Sequence, residues 1–308
     1  MSQAEIVLSG LIGSNPLGAL AAFGLLRVCT ETPELNHARL SWRAEDDWIA
    51  VLTLPCSHKA ESLMAPLAAF LMRRKFDVFN WSPDVRVQPQ EYKERLIQQG
   101  EKARYCERLD ADYYVAYASE MATDGSKGLV KPSALHMTSG QQRFLKSIYE
   151  LGESLRNNSE AAIREALFGP WLYRDHFHSL GWDPMTERMY ALRHRAPTSE
   201  APLCVRAAVW FAVESLPLFP TAIVHGKLVT TGFAKQDGEV RFVWPIWTEP
   251  ISLDSLKTLV ATSELGGVQE AWRSLGRRGV TAVYGSVRSE FGQGYAILRP
   301  ATLVWSAV

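Results

Sequence analysis

Gly169-Pro170-Trp171-Leu172-Tyr173-Arg174-Asp175-His176-Phe177-His178-Ser179-Leu180-Gly181-Trp182-Asp183-Pro184-Met185-Thr186-Glu187-Arg188-Met189-Tyr190-Ala191-Leu192-Arg193 follows neither a helical nor a strand period. It opens on a Gly-Pro break, turns again at Trp-Asp-Pro, and interleaves aromatics with arginines and histidines. This is loop composition carrying two Trp, two Tyr and a Phe. Such side chains either pin the loop onto a core or offer planar surfaces to a ligand. Trp171 and Trp182 are read as structural anchors, which leaves Arg174, Arg188 and Arg193 for contact with a partner.

Regular structure is expected on both sides of this connector. Before it, Ser159 to Phe168 reads as a helix, and Phe144, Ile148, Leu151 and Leu155 recur at helical steps. Ser139 and Gln142 have the spacing of a capping box for that earlier helix. After the connector, Val205, Ala208, Val209, Ala212, Val213 and Leu216 place a core helix within Leu203 to Leu216, stopped by Pro217 and Pro220.

Near the start, Ile6 to Ile12 reads as a short buried strand, followed by a helix from Pro16 to about Thr30 capped by Ser14 or Asn15. Glycines 10, 13 and 18 match no nucleotide-binding fingerprint, so this is read as a structural unit. Arg39–Arg43 and Trp48–Leu54 pattern as a hairpin. Glu61 to Lys75 follows as a helix whose basic end suits the helix dipole. Phe76 to Trp81 is expected to form another strand, and Gln90 to Arg108 a charged, solvated helix.

Downstream of the core helix, Ala222–Ala234 and Glu239–Trp247 are β-rich and joined through Gln236-Asp237-Gly238. Helices are expected at about Leu253–Thr262 and Val268–Leu275, then strands at Val280–Arg288, Gly294–Arg299 and Thr302–Trp305. The fold class is therefore α+β, with mixed helices and short, mostly antiparallel strands and no regular βαβ series. A soft boundary at Asp124-Gly125 separates an N-terminal α+β unit, 1–124, from a C-terminal one, 125–308, with a central helix and a β-rich end; a single domain is the alternative.

The 33 basic and 33 acidic side chains of this 308-residue chain cancel, so any nucleic-acid surface must come from local segregation of charge. Cys29, Cys56, Cys106 and Cys204 are scattered without metal-ligand spacing, and the apolar run Leu17–Leu26 is too short to span a bilayer. A cytoplasmic location without membrane contact is expected. His176 and His178, with Asp183 nearby, offer an enzyme alternative, a metal-dependent nuclease or hydrolase. The stronger chemical pattern is arginine beside aromatics and glycine: Arg174, Arg188, Arg193 and Arg195 in and after the connector, and Arg277, Arg278 and Arg288 near the end. Such groups suit phosphate and unpaired bases.

Leu11–Arg27, Lys131–Gln142, and Leu180–Pro184 with Arg188–Arg193 resemble proteins of type I-G (formerly I-U) CRISPR systems, in particular their accessory, large-subunit-like proteins and the extension of their helicase-nuclease. The resemblance is spread from about residue 6 to residue 300. It implies a non-enzymatic subunit of an RNA-guided DNA-targeting complex in antiviral defence, with no cofactor and no catalytic residue. Its implied partners are other effector subunits, the helicase-nuclease, and guide RNA or target DNA. In such systems base pairing reads sequence while protein holds backbone. A structural protein–protein adaptor is the remaining alternative.

Overall fold

The computed structural model of the chain describes residues 3–55, 59–105, 108–125, 127–138, 142–186, 203–236, 238–267, 269–291 and 295–307. The fold is α+β, built on a first strand and helix that set the centre. β1 (Gln3–Ile12) leads through Gly13 and Ser14 into α1 (Pro16–Thr30). Asn15 caps this helix as the sequence predicts, its Oδ1 accepting from the backbone N–H groups of Leu17 and Gly18 at 2.8 and 3.3 Å. Every α1 residue from Pro16 to Cys29 is buried. At roughly 1.5–3 kcal/mol for each fully buried large apolar side chain, this helix is a main source of cohesion.

β2 (Arg39–Ala44) and β3 (Trp48–Pro55) form the expected hairpin, and β1 pairs with β3 to give an antiparallel sheet in the order β1-β3-β2. The next helix starts as a 3-10 turn at Ala60–Leu63 and continues as α2 (Met64–Arg73). Phe76 to Trp81 is not a strand. It holds a 3-10 turn at Asp77–Phe79, because Phe76, Val78 and Phe79 all turn into the core, a pattern that no alternating strand allows. The charged helix is α3 (Pro89–Tyr105), solvated except at Tyr92, and is followed by α4 (Arg108–Tyr117), which buries Tyr113, Tyr114 and Tyr117.

β4 (Ala118–Thr123) and β5 (Val130–Pro132) make a small hairpin, so the soft boundary near residue 125 falls in its turn. Helices α5 (Phe144–Leu155) and α6 (Ser159–Phe168) follow where periodicity places them. The expected capping box is not formed: α5 has Arg143 at its N-cap position without a side-chain cap, and Gln142 precedes the helix instead of standing at its third position, while Ser139 lies outside the described residues. After the connector comes α7 (Arg206–Glu214), packed along α1.

β6 (Thr221–Val224) and β7 (Lys227–Thr230) pair with each other. β8 (Phe233–Gln236) and β9 (Glu239–Trp247) open the second large sheet, and α8 (Leu253–Val260) and α9 (Gln269–Gly276) follow. β10 (Val280–Phe291) is its central strand, flanked by β9 and, along different parts of its length, by β11 (Tyr295–Leu298) and β12 (Thr302–Ser306). All of the pairings between these strands are antiparallel.

The two large sheets meet over α1. The Trp244 indole donates to the Gly13 carbonyl at 2.9 Å, and the Trp247 indole to the Leu40 carbonyl at 2.8 Å. Phe23 of α1 stacks on Trp247 with ring centroids 6.0 Å apart and meets Trp42 edge-on at 6.4 Å. One cluster of buried side chains runs from Ile6 to Leu298 across residue 125. Among the described residues, no helix is long and apolar enough to cross a membrane.

The basic end of α2 has a use beyond the helix dipole. Arg74 turns inward and is 5% exposed, its Nε 3.2 Å from Glu214 Oε1 and its Nη1 paired with Asp110. Glu214 Oε2 also accepts from Arg27 Nη1 at 2.7 Å and from the Tyr113 hydroxyl at 2.6 Å. A low-polarity interior tolerates these charges only because two guanidiniums meet two carboxylates there.

Candidate functional site

The start of α1, the Leu135–Met137 loop and β11 meet around the Trp182-Asp183 turn. Trp182 is fully buried, and its indole donates to the Leu135 carbonyl at 2.9 Å. Gly181 has φ +80°, and a Cβ there would lie 2.5 Å from the Ala296 carbonyl oxygen and 2.9 Å from Met137 Cβ, so only glycine fits. β11 is stitched between the two loops: Ala296 N–H donates to Met137 at 3.0 Å and Leu298 N–H to Gly181 at 2.8 Å. Asp183 is also fully buried and accepts from Met185 N–H at 3.1 Å, from Asn15 Nδ2 at 3.5 Å and from the Tyr173 hydroxyl. Burial pushes its carboxyl above the usual range, against the pull of these hydrogen bonds. The N-cap of α1 is thereby tied to the connector, 168 residues away.

The connector is anchored elsewhere as well. Half-buried Trp171 donates from Nε1 to the Ala166 carbonyl at 3.0 Å. Asp175 bridges Cys204 through the backbone, accepts from Arg206 N–H at 3.1 Å and pairs with Arg206 Nε at 2.7 Å, which fixes the start of α7. His176 is exposed, and His178 lies 3.1 Å from Gln142 Nε2. Among the described residues no three His, Cys, Asp or Glu side chains are placed to hold a metal ion, so His176, His178 and Asp183 do not assemble into a ligand set.

Cavities adjoin this region, two of which bear on its chemistry. One, of about 600 Å³, is walled by Phe168, Pro170, Trp171, Tyr173 and Met185, with Ser14, Asn15 and Asp47 on its polar side. The other, of about 530 Å³, is a groove between β5, β7, β8 and the far end of β10. Arg86, Lys131, Lys235 and Arg288 line it against Asp124 and Glu290. Arg288 is committed internally, its Nε donating to the Ala134 carbonyl at 3.1 Å and its Nη1 pairing with Glu290. Arg86 lies 3.5 Å from Asp84. Lys131 and Lys235 are exposed and make no ion pair among the described residues.

Of the arginines predicted as nucleic-acid contacts, the structure places Arg288 in this groove and leaves Arg174 exposed on the connector. Arg277 and Arg278 sit at the opposite end of β10, roughly 25–30 Å from Arg288 at about 3.3 Å per strand residue. Arg277 is exposed, while Arg278 pairs with Glu264. The arginines near the end of the chain thus do not form one patch. Arg188, Arg193 and Arg195 lie outside the described residues. Arg86, Lys131 and Lys235 escape a sequence reading because they meet only through long-range folding, with no local run of charge to mark them.

At the groove floor, buried His136 places Nε2 2.7 Å from Asp84 Oδ1, and its ring packs on Phe144 at 4.6 Å. Burial holds the imidazole below its ordinary pKa, although Asp84 pulls the other way. Burial raises Asp84 in turn, but the hydrogen bond and charge of His136, with Arg86, outweigh this and keep it below the usual range. The unfolded chain's imidazole takes up a proton as pH falls through about 6.5 while the folded one resists, so stability is full above that pH and drops below it. Asp84 adds a further loss only below about 4. Urea unfolding between pH 7 and 5 is expected to show a slope of up to about 1.4 kcal/mol per pH unit that His136→Gln removes. An unchanged slope in that variant would place the titrating group elsewhere.

Comparison with protein-family models, with curated proteins and with solved structures returned no match to this chain.

Proposed function

We propose that this chain is a non-enzymatic subunit of a type I CRISPR RNA-guided DNA-targeting complex, acting in the cytoplasm on a nucleic-acid backbone and on neighbouring effector subunits, the helicase-nuclease among them. The observation that carries the backbone reading is the groove of Arg86, Lys131, Lys235 and Arg288, in which the two lysines face solvent without a carboxylate partner among the described residues. Ammonium groups on flexible stems serve phosphates as point charges and read no sequence. The sequence resemblance supplies the complex, and the groove supplies the chemistry. Exposed Arg174 and Arg277 extend the contact to other faces.

Fluorescence anisotropy with labelled single-stranded RNA, single-stranded DNA and duplex DNA tests this. Wild-type affinity should fall steeply from 50 to 200 mM salt, as counterion release requires. The Lys131→Glu/Lys235→Glu variant should weaken binding uniformly across sequences and reduce the slope of log K against log salt by about 2. Salt-independent binding, or an unchanged slope in the variant, overturns the reading. Co-purification with effector subunits without nucleic-acid affinity would assign an adaptor role instead.

A further inference from the structure

We infer that the cavity beside Trp171 is a base-recognition pocket for one unstacked guanine, an assignment that rests on the nucleic-acid reading above. The cavity holds about 600 Å³, ample for a nucleoside, and two of its aromatic walls are tied to the fold. The Trp171 indole is tied to the Ala166 carbonyl at 3.0 Å, and the Tyr173 hydroxyl to buried Asp183. Their rings stand edge to face with centroids 6.2 Å apart. Gly10 also lines the cavity, and a Cβ there would lie 2.4 Å from the Ala166 carbonyl oxygen and 2.9 Å from Gly169 N, so β1 packs directly on the end of α6 behind Trp171. Fixed aromatic and apolar walls suit a planar ring, since stacking on a preset surface costs little ordering entropy.

The polar side selects among planar rings. Asp47 is half-buried and lines the cavity, Oδ2 accepting from the Ser14 hydroxyl and Oδ1 from Trp48 N–H at 2.6 Å. A carboxylate oxygen accepts two hydrogen bonds, so each retains one acceptor site. One carboxylate with an acceptor site left on each oxygen matches a ligand edge with two adjacent N–H donors. Guanine alone of the standard bases has this edge, N1–H beside the exocyclic amine; adenine, cytosine and uracil each place an acceptor next to a donor. The Asp47 carboxylate also repels phosphate, so the base enters while the backbone stays outside. Exposed Arg174, next in sequence to Tyr173, is available to that backbone.

The test uses short unstructured RNA strands that are identical except for one position carrying guanine, inosine or adenine. Wild-type protein should bind the guanine strand about 10- to 100-fold tighter than the adenine strand, as a bidentate pair allows. Inosine, which lacks the exocyclic amine, should fall between. Asp47→Asn, of the same size, should abolish the preference, whereas Lys131→Glu/Lys235→Glu should weaken all strands and leave the ratio intact. Equal binding of all three strands with the groove dependence preserved overturns the pocket and leaves the backbone reading standing. If no strand binds, tryptophan fluorescence separates the two: a change on adding guanosine that Asp47→Asn removes keeps the pocket while the groove falls. No change with guanosine overturns the pocket. A change with acetylarginine amide but not with guanosine also overturns it, and reassigns the cavity to a guanidinium of a protein partner.

Discussion

Glu214→Ala is expected to lower the free energy of unfolding by about 3–5 kcal/mol, read from urea denaturation. Glu214 is fully buried and accepts from Arg27 Nη1 at 2.7 Å, from Arg74 Nε at 3.2 Å and from the Tyr113 hydroxyl at 2.6 Å. The guanidiniums also lie over the Tyr113 ring, 5.1 and 5.5 Å from its centroid. Removing the carboxylate leaves two cations in a low-polarity interior with Asp110 alone to answer them, and that unpaired charge sets the size of the loss. The surface pair Arg43–Glu5 has the same 2.7 Å separation, but its side chains are 43% and 57% exposed. Glu5→Ala should therefore change stability by no more than about 1 kcal/mol. Similar losses at the two sites would mean that Glu214 is far better solvated than its burial indicates.

Gly24→Ala should cost on the order of 3 kcal/mol, seen as a fall in urea midpoint or as loss of folded protein. Alanine is the better helix former by about 1 kcal/mol, so local propensity favours the change. Packing opposes it more strongly. A Cβ at Gly24 would stand 1.6 Å from the Phe211 carbonyl oxygen and 2.8 Å from Ser215 N, so α1 and α7 would have to move apart. Gly100, on exposed α3, has nothing within 4 Å of such an atom. Gly100→Ala should accordingly stabilise by about 0.5–1 kcal/mol. Gly24 and Arg27 sit three residues apart on α1, as Phe211 and Glu214 do on α7, so the close approach at one pair positions the ion pair at the other. The two substitutions should be non-additive when combined.

How much of this was legible in the chain depends on how local the cause is. Asn15-Pro16 marks the start of α1, and the apolar spacing of Phe144, Ile148, Leu151 and Leu155 marks α5, because caps and periodicity act within a few residues. Ala222–Ala234 reads as one β-rich stretch, but positive φ at His225, Gly226 and Gly232 breaks it into three short strands. Phe76–Trp81 misleads because apolar content alone does not reveal whether consecutive side chains share a direction. Arg74 stands among Arg73 and Lys75 at a helix end, where the dipole is sufficient reason for a cation; its partner lies 140 residues away. The candidate site has the same limit. Arg288 draws notice through its arginine-rich surroundings, whereas Asp47, Lys131 and Lys235 acquire meaning only from neighbours that the folded chain brings to them.

The ties between α1 and the second large sheet bear on how the protein is made. Gly13 and Leu40, which flank this helix, wait for indoles 231 and 207 residues further along the chain. At about 5–20 residues per second, a ribosome needs on the order of 10–45 s to supply them. For that interval a helix destined for complete burial has no complete core to enter. The nascent chain therefore presents a long-lived apolar segment of the kind that holding chaperones bind, and release should follow synthesis of the β9 tryptophans.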